Sequence, residues 1–174
     1  FEADELEHPV DLEQVRRLAE ELVSTWEDRA AHALEAAFGE RQGRKHFDKY
    51  IRRESRSGLY REATPPDEVP QDIQHLENLE GRLEVRVLPR TAESVALKLY
   101  STNAVGLTGV LRTLQNLGLT VTEDLRIPIV LPDNRRAFLY RFETEAPAER
   151  VAAVVSGEER FVDALRALDE ERAT

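Results

Sequence analysis

The hydrophobic period of this chain changes at Gly81, and that change limits the fold more than any other feature. Before it, apolar residues recur every three or four positions, the spacing that lines side chains along one stripe of an α-helix. After it, Leu83-Glu-Val-Arg-Val-Leu88 alternates apolar and charged residues, and Val95-Ala-Leu-Lys-Leu-Tyr100 does so more loosely. Alternation with period two predicts strands, because successive side chains of a strand point to opposite faces. A helical first half followed by strands mixed with helices is α+β.

In the first half, Leu12, Val15, Leu18, Leu22, Trp26, Ala30, Ala33 and Ala37 predict one long amphipathic helix over 11–38. Asp11 is its expected N-cap and Gly39 its stop. A second helix is predicted over 41–53, with Phe47, Tyr50 and Ile51 as apolar contacts, and Ser55-Arg-Ser-Gly58 breaks it. Thr64-Pro-Pro66 introduces a third, over about 67–80, in which Pro70 fits only the first turn. In the second half, strands are expected over 83–88, 95–100, 119–130 and 136–144, and helices over 104–117, 147–156 and 158–172. Phe138, Tyr140 and Phe142 fall on one face of the last strand, with Leu139, Arg141 and Glu143 on the other. The expected division is a helical region, 1–81, and an α+β region, 82–174, with an antiparallel sheet carrying its helices on one face.

A length of 174 residues allows one domain or a small pair. The chain lacks cysteine, which removes disulfides, thiolate metal sites and cysteine nucleophiles, and a cytoplasmic setting is expected. With neither a basic, apolar leader nor an 18-residue apolar run, no membrane role is expected. The first residue is Phe1, and the chain is expected to be a piece of a longer protein. A net charge of −10 argues against nucleic acid as a partner, since phosphates require cations. Residues 1–40 carry 12 acids and 3 bases, whereas 41–61 carry 8 bases and 2 acids, so acidic surfaces are expected to dock on the basic segment within or between chains. Phe47, Tyr50 and Tyr60 interleave with those bases, but an ordinary charged helix surface explains the pattern.

No G-x-G-x-x-G follows a strand, so no dinucleotide site is expected in this chain. His8, His32, His46 and His75 are too scattered for a zinc site, and no metal is expected. Ser24, Asp28 and His32 can be assembled into a triad only on paper, without a nucleophile elbow, so no catalytic residue is assigned. Gly106-Leu-Thr-Gly109 opens a helix and could offer N–H groups to an anion, but the turn and close helix–sheet packing are the expected reason for its glycines.

The stretch from Thr102 to Val121 sends a strand through a tight turn into a helix opened by Gly106 and closed by Gly118. It resembles the ACT domain, a ferredoxin-like βαββαβ module that often binds amino acids. Asn103 stands where that family usually has Asp, and Val105 replaces its usual proline. The resemblance implies Asn103, Val105, Gly106 and Leu107 as ligand-binding residues. A more particular resemblance joins Tyr60-Arg-Glu-Ala-Thr-Pro-Pro-Asp-Glu-Val-Pro-Gln-Asp-Ile73, Leu97-Lys-Leu-Tyr100 and Leu111–Val121, at scattered positions between Trp26 and Phe142. These look like the large NAD-dependent bacterial glutamate dehydrogenases, in which ACT-like and helical segments precede the catalytic domain. That resemblance implies a non-catalytic regulatory or assembly segment, with NAD belonging to the parent enzyme. Its expected partners are a second copy or the catalytic region of the same polypeptide, and an amino-acid effector. A stand-alone amino-acid sensor and a structural interaction module are the alternatives.

Overall fold

The computed structural model describes residues 11–23, 25–52 and 58–173. Asp11 opens α1 (Leu12–Val23) by accepting the Glu13 N–H at 3.1 Å, as expected of an N-cap. The continuous helix expected over 11–38 is instead two, because Thr25 is extended and begins α2 (Trp26–Phe38). Thr25 Oγ1 accepts the Asp28 N–H at 3.2 Å, and Asp28 Oδ2 accepts the Thr25 N–H at 3.1 Å. This reciprocal capping box satisfies two amides that an uninterrupted helix would use internally, so the local chemistry outweighs the periodicity. Gly39, at φ +83°, ends α2.

Next come α3 (Glu40–His46), continued by one π-helical turn, Phe47–Ile51. The extra residue of a π turn places Tyr50 and Ile51 together on the buried side. A short helix that periodicity did not indicate, α4 (Leu59–Ala63), precedes a 3-10 turn, Pro66–Glu68, and α5 (Val69–Glu77). The breaker Ser55–Ser57 lies outside the described residues. Arg61 pairs with Glu27, and Arg44 lies 3.9 Å from Glu35, so bases of the 41–61 segment do meet acids of the preceding helix within the chain.

The strands are β1 (Glu84–Thr91), β2 (Ser94–Ser101), β3 (Thr120–Val130) and β4 (Arg136–Glu145), in the antiparallel order β1-β2-β4-β3. Between β2 and β3 runs α6 (Leu107–Asn116), and β4 lies between those two strands, a split βαβ unit of the ferredoxin kind. The chain ends in α7 (Ala148–Ser156) and α8 (Glu158–Ala173). The fold is α+β.

Two apolar layers sandwich the sheet. On one side Val85, Leu97, Leu99, Tyr140 and Phe142 pack under Val110 and Leu114 of α6, Val151 of α7 and Phe161 of α8. On the other, Tyr100, Ile127, Ile129 and Leu139 pack under Ala30 and Leu34 of α2, the π turn, and Ile73 and Leu76 of α5. The helices of the second half thus lie on one face as expected, and those of the first half cover the opposite face. Covering both faces explains the loose alternation of β2, whose residues from Val95 to Ser101 are all buried.

Candidate functional site

Sequence alternation sends Glu84 and Arg86 of β1, Lys98 of β2 and Arg141 of β4 to the face that the first-half helices cover. In register, Arg86 pairs with Lys98 and Lys98 with Arg141, a row of three cations across three strands. Like charges side by side in a sheet repel, so such a row can be covered only by an element bringing carboxylates. Helix α5 and the turn before it bring two.

Asp72, fully buried, is the centre of the arrangement. Lys98 Nζ, also fully buried, lies 3.0 and 2.9 Å from its two carboxylate oxygens. The Tyr100 hydroxyl donates to Oδ1 at 2.5 Å, the Tyr60 hydroxyl donates to Oδ2 at 2.8 Å, and Arg86 Nη1 stands 3.5 Å from Oδ1. Glu68 is the second carboxylate, 2.7 Å from Lys98 and 2.6 Å from Arg90, which also reaches Glu143 at 3.2 Å. Arg141 completes the row by donating to the Ala63 carbonyl and pairing with Glu123 at 3.0 Å.

The electrostatics follow from burial and from the charges beside each group. Burial, reinforced by the Asp72 carboxylate, pushes Tyr60 and Tyr100 well above the ordinary phenol range, so both stay protonated donors. Burial would raise the Glu68 carboxyl, but the hydrogen bonds from Lys98 and Arg90 outweigh it and hold the group below its usual value. His75 stacks on Tyr100 with ring centroids 4.8 Å apart, and burial lowers its pKa against the opposing pull of Glu84. Burial likewise lowers His46, which sits between Phe38 and Tyr50 and 3.8 Å from Glu77. Beside the cluster, a void of about 10 Å³ lined by Tyr50, Ile51, Tyr60, Ile73, Leu76 and Ile129 leaves space for at most a water. The buried Asp72 cluster joins the sheet to the first-half helices.

The ligand residues expected from the resemblance lie just beyond it, where β2 ends. Asn103 is exposed, and its N–H donates to Ser101 Oγ at 3.1 Å. The Val105 N–H donates to the Tyr140 hydroxyl at 3.0 Å. Val105 and Leu107, both partly buried, pack against the second-half core. Gly106 is the N-cap of α6 at φ −74° and makes no side-chain cap, while the Gly109 and Val110 N–H groups donate to its carbonyl at 3.1 and 3.4 Å. Gly118, at φ +79°, ends α6 in a conformation that favours glycine, and the Arg150 side chain closes over it. The structure thus places Asn103, Val105, Gly106 and Leu107 together in one turn.

Residues 84–155 match the glutamate dehydrogenase ACT3 domain family. This stretch is an ACT-like segment of a glutamate dehydrogenase. The match runs from the first residue of β1 through most of α7, so the ACT3 segment contains the whole sheet and the 101–107 turn. It ends short of α8 and begins after the first-half helices, so Asp72, Tyr60 and Glu68 reach into the ACT3 segment from outside it. No curated relative matches the chain.

Lys98 and Tyr100, and Tyr60 and Asp72, stand in the separate stretches that suggested a glutamate dehydrogenase, and here they form one cluster. Glu68 stands in the same stretch as Tyr60 and Asp72, Arg90 falls between the strands expected over 83–88 and 95–100, and Arg86 alone carried a charge at a position that alternation assigns to one face. Among the described residues no group of His, Asp and Glu side chains is placed to hold a metal ion, and no helix is long and apolar enough to cross a membrane.

Proposed function

We propose that the chain is a non-catalytic regulatory and assembly segment of a large NAD-dependent glutamate dehydrogenase, the parent reaction being oxidative deamination of glutamate to 2-oxoglutarate. The match of residues 84–155 to the glutamate dehydrogenase ACT3 domain carries this reading. The Asp72 cluster supports it as well, since its carboxylate and the Lys98 and tyrosine groups around it are buried and paired with one another. The 101–107 turn is the proposed contact for an amino-acid effector, with the exposed Asn103 as its polar group and Val105, Gly106 and Leu107 beside it. Cytoplasmic location and association with a second copy or the catalytic region belong to the same proposal.

The amino-acid-sensing alternative differs only in what surrounds the chain, because it uses the same turn. On the reading proposed here NAD is held by the catalytic region of the parent enzyme. Calorimetric titration of this chain with NAD is therefore expected to give no binding heat, and a site of micromolar affinity would contradict the proposal.

A further inference from the structure

One tyrosine hydroxyl holds the 101–107 turn directly, and a second tyrosine, anchored on the opposite side of the sheet, immediately precedes it in the chain. Tyr140 projects toward the second-half helices, where its hydroxyl accepts the Val105 N–H at 3.0 Å. Tyr100 projects the opposite way and donates to Asp72 at 2.5 Å. The next residue, Ser101, is buried, and its Oγ accepts the Asn103 N–H at 3.1 Å. A continuous set of contacts thus leads from α5 through Asp72 and Tyr100 to Ser101 and the backbone of Asn103. Every link but the last lies in the buried interior, where hydrogen bonds to a carboxylate are strong and packing resists gradual deformation.

From this juxtaposition we infer that Asp72 is a positioning residue for the 101–107 turn, acting through Tyr100, so that the first-half helices and the turn bias one another. Helix α5 held in place keeps the end of β2 fixed and the turn in its described shape. Displacement of α5 releases Tyr100 and loosens the turn. The coupling is reciprocal, because any free energy by which the turn's state favours one placement of α5 also acts in reverse. For an ACT3 segment this provides a route between an effector turn and a helical layer outside the family's boundary. That use rests on the proposed function, whereas the coupling itself is a property of the unliganded chain.

Hydrogen exchange on the unliganded chain tests it. Tyr100→Phe removes one hydroxyl while keeping the ring that stacks on His75. Coupling predicts that exchange at Asn103 and at Ile73 and Leu76 of α5 rises on the order of tenfold, while amides in the middle of β4 stay within a factor of two. Tyr60→Phe removes a bond to the same carboxylate from α4, with no direct path to the turn. It should loosen α5 but raise exchange at Asn103 much less. An Asn103 amide unmoved by Tyr100→Phe overturns the inference, and so do equal rises at Asn103 in the two variants, which would mark general loosening of the cluster. Neither result depends on amino-acid or NAD binding, so failure of the coupling is distinguishable from failure of the functional reading.

Discussion

Asp72→Ala is expected to lower the unfolding free energy by about 3–5 kcal/mol, read from denaturant-induced unfolding. The substitution removes little apolar volume, so the effect comes from what remains behind. Lys98 Nζ loses both oxygens it approaches within 3.0 Å and keeps only Glu68 at 2.7 Å. The Tyr60 and Tyr100 hydroxyls lose their acceptor inside the protein, and an unpaired buried donor costs about 1–3 kcal/mol. The double variant Asp72→Leu with Lys98→Met should recover only the part of the loss that comes from the unpaired Lys98 cation, because the Tyr60 and Tyr100 hydroxyls still lack their acceptor. A loss under about 1 kcal/mol for Asp72→Ala would mean that water reaches the cluster and that the layers do not close over it.

Gly43→Ala separates two effects that predict opposite signs. Helix propensity alone favours alanine by about 1 kcal/mol inside a helix such as α3. The site forbids it: a Cβ on Gly43 would stand 2.6 Å from the Glu35 nitrogen and 2.7 Å from the Leu34 carbonyl carbon. Both are backbone atoms of α2, so no side chain can swing aside and the two helices must separate. Leu34, fully buried in the layer that faces the sheet, would move with them. Overpacking of this kind costs about 1–3 kcal/mol or more, enough to reverse the propensity gain and lower the melting temperature by several degrees. Lys45→Ala, on the exposed side of the same helix, should stay within about 0.5 kcal/mol of the parent chain. A Gly43→Ala variant more stable than the parent would show that α2 and α3 do not meet at this close approach.

Much of the second half was legible because period-two alternation and glycine stops survive tertiary packing. Strand ends fell within a few residues of expectation, and Phe138, Tyr140 and Phe142 do share one face while Leu139 lies on the other. The helical half was harder to read, for specific reasons. The apolar stripe continues across Thr25 without a missed beat, yet the Thr25–Asp28 capping box starts a new helix there. The signal was present as Thr-x-x-Asp but is shorter than the periodic run around it. The π turn at 47–51 has no sequence signature, since it is selected by burying Tyr50 and Ile51 together. Gly43 read as an unremarkable helix residue because its meaning lies in the distance to another helix.

The candidate site divides in the same way. The 101–107 turn is local, so its residues could be named from a resemblance and are found side by side. The Asp72 cluster joins residues separated by 26 and 28 positions, and nothing in either stretch alone says that they meet. Alternation in β1 assigned Glu84 and Arg86 to one face, which is correct, but charge on a strand face ordinarily signals solvent. Here the charges are covered because the helices over them carry matching carboxylates. The charge pattern of the chain as a whole indicated acid–base pairing across 1–61, and Arg61–Glu27 is such a pair, while the buried pairing lies deeper in the fold.

On the proposed function, this ACT-like segment takes an amino acid at its 101–107 turn and NAD is held by the parent enzyme. Thermal unfolding of the chain in the presence of each of the twenty amino acids, with NAD as a control, tests it most directly. The account predicts a rise of several degrees with at least one amino acid at saturating concentration, lost in Asn103→Ala, and no rise with NAD. A rise with NAD, or no rise with any amino acid, would contradict it.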